Sequence, residues 1–101
     1  MIKKQTLRGL STVNFYAQNH DAAKKWYTEF LGIEPYFSAP RYVEFRIGDY
    51  PHELGIIDNC YASNAEVKES AGAVVYWHVD DLKTIFDRII SMGAKQISTY
   101  Y

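Results

Sequence analysis

Ser11-Thr-Val-Asn-Phe-Tyr-Ala-Gln-Asn19 and Ala73-Val-Val-Tyr-Trp-His-Val-Asp-Asp81 state one pattern twice, 62 residues apart. Each alternates at the strand period of two and ends on an Asx residue suited to capping a helix. Each then runs into an amphipathic stretch that closes on a glycine, Gly32 or Gly93. The registers agree. Val13, Phe15 and Ala17 map onto Val75, Trp77 and Val79, and Asn19 maps onto Asp81. A repeated strand–helix unit points to paired modules.

The first unit reads as a strand over 8–18 and a helix over 20–31, capped by Asn19 or Asp21. Ala22, Ala23, Trp26, Tyr27, Phe30 and Leu31 recur at three-to-four spacing as its buried stripe. Three short strands follow near 34–38, 41–48 and 52–57, with turns marked by Ala39-Pro40 and Gly48-Asp49-Tyr50-Pro51. Residues 58–72 are polar and alanine-rich, as in a linker. A strand at 73–80 then feeds a helix over 81–92 that buries Leu82, Ile85, Phe86, Ile89 and Ile90, and Lys95 to Tyr100 begins one more strand. The expected domain is single, residues 1–101: a first β-α-β-β-β module over about 7–57, a linker over 58–72 and a partial second module over 73–101, truncated after β-α-β.

With 101 residues, 48% hydrophobic and 23% charged, the chain has the composition of one small globular domain. Eleven basic and twelve acidic side chains give a net charge of −1, and no basic run follows Lys3-Lys4, so nucleic acid is not an expected partner. No apolar stretch approaches about 18 residues and no signal-peptide pattern is present, which predicts no membrane association and a cytoplasmic location. The lone Cys60 cannot form an internal disulfide, fits a reducing compartment and has no activating base nearby in sequence.

Alternation assigns side chains to faces. Val13, Phe15 and Ala17 are expected toward the helix, with Thr12, Asn14 and Tyr16 opposite. Val43, Phe45 and Ile47 pair with the core, against Tyr42, Glu44 and Arg46. Glu53, Gly55 and Ile57 share one face, and His52, Leu54 and Ile56 the other. In the repeated strand Val74, Tyr76 and His78 face away from the core. If the strands form one curved sheet with helices outside, Thr12, Asn14, Tyr16, Tyr42, Glu53, Val74, Tyr76 and His78 line its concave face as a small-molecule pocket. The alternative is a solvated outer sheet face, and the pocket is preferred because tyrosines are costly to leave in water. His20, in the first helical turn, is expected to be exposed, and Glu44 with Arg46 to form a solvated ion pair.

The paired units, the Trp26-Tyr27…Phe30-Leu31-Gly32 helix ending and the Val79-Asp80-Asp81-Leu82 junction resemble the vicinal oxygen chelate superfamily, the group of glyoxalase I, bleomycin-resistance proteins and extradiol dioxygenases. The phrase Tyr27-Thr-Glu-Phe-Leu-Gly32 is similar to that family's usual first-helix ending. The resemblance implies an α+β fold of paired βαβββ modules forming a curved mixed sheet with helices outside. It also implies partners: a small molecule, and a second copy of the chain in a homodimer, with modules paired within a chain or swapped between two.

In the family's enzymes a divalent metal held by His, Glu or Gln chelates two neighbouring substrate oxygens as a Lewis acid. The first-strand ligand lies seven residues before the Asx that opens the helix, which carries that role onto Thr12 and Val74. Valine has no donor atom and threonine is a poor ligand for transition metals. The fourth-strand carboxylate position is matched by Glu53, and the last ligand would come from a final strand that the chain stops short of. His52 alternates away from Glu53, and His78 reads as a pocket-lining residue. No cofactor is therefore expected, with Glu53 the single candidate if a divalent metal binds. Three readings follow: a metal-free binder of a small aromatic molecule; a metal-dependent lyase, isomerase or dioxygenase with an atypical ligand set; or a degenerate, non-catalytic module. Whether the chain is an enzyme is left open by its residues.

Overall fold

In the computed structural model of the chain, residues 6–7, 10–50, 52–61 and 71–96 are described. They form a small α+β unit in the order β1 (Thr12–Ala17), α1 (His20–Leu31), β2 (Phe37–Ala39), β3 (Tyr42–Ile47), β4 (His52–Asp58), a 3-10 turn (Asn59–Tyr61), β5 (Ala71–Gly72) and α2 (Leu82–Ser91). The sheet is mixed, with strand order β2-β3-β4-β1-β5. β1 runs parallel to β4, joined through α1 and the β2–β3 hairpin, and the other pairings are antiparallel.

Register turns the period-two pattern into rows across the sheet. On the face toward α1, Val13 stands beside Leu54 and Leu54 beside Phe45; Phe15 stands beside Ile56 and Ile56 beside Val43. Phe15, Ala17, Val43, Phe45, Leu54 and Ile56 form the buried core, and Ala23, Tyr27 and Leu31 of α1 pack onto it at i, i+4, i+8 spacing. Each large side chain removed fully from water in this way contributes roughly 1.5–3 kcal/mol. Ala22, expected within the stripe, is exposed. Trp26 and Phe30 take the flank, with Phe30 edge-on to Trp77 at 5.8 Å between centroids.

Both helices start as the repeat predicts. Asn19 is the N-cap of α1, its Oδ1 accepting from the Ala22 N–H at 3.1 Å, and Asp81 caps α2 by accepting from the Thr84 N–H at 3.2 Å. Gly32 ends α1 with φ of +70°, where its N–H donates to Thr28 O at 3.0 Å; only glycine enters that left-handed region freely.

The second unit departs from expectation in its strand. Among the described residues of this half, Ala71–Gly72 alone pair with β1, opposite Phe15 and Tyr16, while 73–79 carry no ladder. β1 gains its order from β4 on one side. Among the described residues nothing offers 73–79 a comparable neighbour, and a strand without a neighbour has no partner for its peptide groups. Among the described residues α2 consequently has no second sheet face to cover. It docks on the end of α1 instead: Arg88 donates to Phe30 O (3.0 Å) and Glu29 O (2.8 Å), and Trp26 Nε1 donates to Met92 O (2.8 Å). Leu82 and Ile90, expected to be buried, are 72% and 40% exposed, and Ile85, Phe86 and Ile89 are only half-buried. Residues 8–9 of the expected first strand, most of the linker and 97–101 lie outside the described residues; 10–11 and 95–96 are not strand.

Candidate functional site

The face of the sheet turned away from α1 is organised around Glu53. Its register neighbours are Thr12 on β1 and Arg46 on β3, and both bind it. Thr12 Oγ1 donates to Oε1 at 2.5 Å, and Arg46 Nε donates to Oε2 at 3.2 Å. The hydroxyl of Thr12 first, and then the Arg46 guanidinium, hold the Glu53 carboxyl below its ordinary range against the opposing effect of partial desolvation. Arg46 is held from a second direction, its Cζ lying 3.7 Å from the centroid of the Tyr36 ring.

The next row is Asn14, Gly55 and Glu44. Gly55 has no side chain in the middle of that row, and Tyr42 leans into the space. Its hydroxyl donates to Glu44 Oε1 at 2.6 Å and sits 3.4 Å from Asn14 Oδ1. A Cβ on Gly55 would collide with Asn14 Oδ1 and the Tyr42 hydroxyl. Desolvation, and then the Glu44 carboxylate, push the Tyr42 phenol well above the ordinary tyrosine range. The expected Glu44–Arg46 ion pair is replaced: Arg46 turns across the strands to Glu53 and Glu44 takes Tyr42.

A cavity of about 660 Å³ lies at the end of the sheet where β3 turns into β4. Val13, Leu31, Ile33, Leu54, Val75 and Trp77 give it apolar walls. Arg46, His52, Glu53, Tyr76 and His78 contribute its polar and aromatic groups. Of the eight residues expected to share a pocket, the cavity wall takes Glu53, Tyr76 and His78. Thr12, Asn14 and Tyr42 belong with Glu53 to the hydrogen-bonded sheet face. Tyr16 lies half-buried in the row of Ile57 and Tyr42, and Val74 is 79% exposed on the unladdered segment. The apolar wall draws on the helix-facing side of the strands, which the expectation of a concave-face pocket did not include.

His20 is buried, against the expectation of exposure. Side chains at a helix start lean back toward its N-terminus, and this ring leans onto β4, where Nε2 donates to Ile56 O at 3.0 Å while Nδ1 is buried without a partner. Nothing in the pattern of apolar residues signals this, because a polar residue at a helix start ordinarily faces water.

The donor set does not suit a tightly held transition metal. Glu53 is the single carboxylate at these positions and already pairs with Thr12 and Arg46, Val74 offers no donor atom, and the neutral hydroxyl of Thr12 is a poor ligand for a transition metal. Among the described residues no three His, Cys, Asp or Glu side chains converge on one point.

No family model matches the sequence, and no curated protein matches it. Among solved structures, the lactoylglutathione lyase of Agrobacterium tumefaciens is similar with a TM-score of 0.56 and 23% identity, over 85% of this chain and 73% of that one. The NAD-dependent benzaldehyde dehydrogenase of Legionella pneumophila aligns with a TM-score of 0.49 and 16% identity, over 81% of this chain and 68% of that one. The likeness to the lyase is one of fold: a glyoxalase-like arrangement of strands and helices. Among the described residues no helix is long and apolar enough to cross a membrane.

Proposed function

We propose that this is a vicinal oxygen chelate-type protein of the glyoxalase/bleomycin-resistance kind, which binds a small aromatic molecule without that superfamily's conventional metal site and works as a cytoplasmic homodimer. The observation that carries the reading is the state of Glu53. The one residue matching a family ligand position is bonded to Thr12 and Arg46 and is the single carboxylate in the wall of a cavity whose other groups are aliphatic and aromatic side chains, Arg46 and two histidines. An apolar cavity with a few converging polar groups is the usual form of a small-molecule site. The glyoxalase-like fold supports the superfamily, and the exposed Val74, Tyr76 and Leu82 support a partner copy.

A second reading, a metal-dependent lyase, isomerase or dioxygenase with an atypical ligand set, has in its favour Glu53 at the family's carboxylate position. Native mass spectrometry with and without added Ni, Zn, Mn and Fe(II) separates the two. The expected result is a dimer that takes up no stoichiometric metal. One metal per subunit, lost in Glu53→Ala, overturns the metal-free reading; a protein that takes neither metal nor small molecule is a degenerate module.

A further inference from the structure

The cavity lining divides by chemistry. Its walls are aliphatic and aromatic, and its charged groups are one guanidinium, Arg46, and one carboxylate, Glu53, beside His52 and His78. Each oxygen of Glu53 already has a partner, Thr12 on one and Arg46 Nε on the other. Arg46 is satisfied only in part. Glu53 takes Nε and Tyr36 takes one face of the guanidinium, and neither contact occupies the two Nη groups. A guanidinium clamped by a carboxylate and a ring has lost most of its freedom before a ligand arrives, so little more is lost when it binds one.

We propose that the site takes a small aromatic monocarboxylate, with the ring among Val13, Leu54, Val75 and Trp77 and the carboxylate on the Nη groups of Arg46. This rests on the small-molecule reading above and adds the sign and number of charges. A cationic ligand finds no free carboxylate in the lining. A polyanion meets a single permanent cation with Glu53 alongside. A neutral aromatic fills the walls and leaves the guanidinium to water.

The test is a pair of near-isosteric probes, phenylacetate and phenylacetamide, titrated into ¹⁵N-labelled full-length protein and followed by amide shifts. Phenylacetate is expected to bind at least about tenfold more tightly, the scale of a charge-assisted hydrogen bond. It is expected to shift Val13, Leu54 and Trp77 and to weaken with added salt, whereas phenylacetamide stays salt-independent. In Arg46→Gln the preference is expected to vanish while phenylacetamide still binds, and in Arg46→Lys to return in part. Equal binding of the two probes by the unaltered protein overturns the monocarboxylate assignment and leaves the small-molecule reading standing. Shifts from neither probe overturn both. A preference that survives Arg46→Gln overturns Arg46 as the anchor. Where Arg46→Gln does not fold, the salt dependence and Arg46→Lys decide: phenylacetate binding insensitive to both overturns the assignment.

Discussion

Glu53 shows how much one register position determines. Alternation sorts the side chains of each strand into two faces, with Thr12 and Arg46 opposite the core and Glu53 opposite Leu54 and Ile56. It does not say which residues stand side by side, because that depends on how β1 and β3 slide against β4. With Thr12 and Arg46 both in register with it, Glu53 is held as the anion. Its folded ionisation lies below the ordinary value of 4.5, so its contribution to stability is fully present above that value and is lost as pH falls through the lower folded value. Thr12→Val removes the larger of the two favourable contacts. The Glu53 titration, followed by carboxyl ¹³C shifts, is expected to move upward in that variant; an unmoved titration contradicts the assignment. Gly55 is the second such position. Its need for no side chain comes from Asn14 and Tyr42 on neighbouring strands, which a lone Gly in a strand pattern only hints at. Gly55→Ala is expected to cost about 1–3 kcal/mol in urea unfolding. It is also expected to bring the Tyr42 phenol down toward the ordinary tyrosine range as its bond to Glu44 opens, read by ultraviolet titration.

Elements were legible where their signals are local. The Asx caps, the glycine stop after α1 and the i, i+4, i+8 stripe act within a few residues of chain, and α1 spans the expected 20–31. Asn19→Ala is expected to lower stability by about 1 kcal/mol, the usual worth of a lost N-cap, measured by urea denaturation. The segment 73–79 has the same alternation as β1 and carries no ladder, since a strand is completed by its neighbour and the pattern cannot supply one. The role of Arg88 was equally hidden. It satisfies carbonyls at the end of α1, 58 residues away in sequence for Phe30. With no fully buried side chain, α2 depends heavily on such anchors. Arg88→Ala is expected to speed amide exchange across 82–92 and leave β1, β3 and β4 unchanged; uniform acceleration everywhere would mean that α2 belongs to the main cooperative unit.

The two halves of the chain differ in how they are held. The first unit closes a core between α1 and three strands, whereas the second is fixed to it chiefly through Arg88, Trp26, Phe30 and Trp77. The repeat in the sequence announced two equivalent units, and the inequality arises because burial requires an opposing surface that periodicity does not encode. Val74, Tyr76 and Leu82, at 79%, 80% and 72% exposure, lie within nine residues of one another along the chain. Apolar side chains so concentrated favour association, and a stable pair of chains needs about 1,200–2,000 Å² of buried surface. The homodimer proposed above would draw on this segment. Sedimentation equilibrium at micromolar concentration is expected to give a dimer mass. Tyr76→Asp combined with Leu82→Lys should shift the equilibrium to monomer while far-ultraviolet dichroism stays unchanged, because neither side chain supports the core. A monomer for the unaltered chain up to about 100 µM, far above the dissociation constants usual for interfaces of that size, would remove the dimer from the proposal and leave the cavity to be completed within one chain.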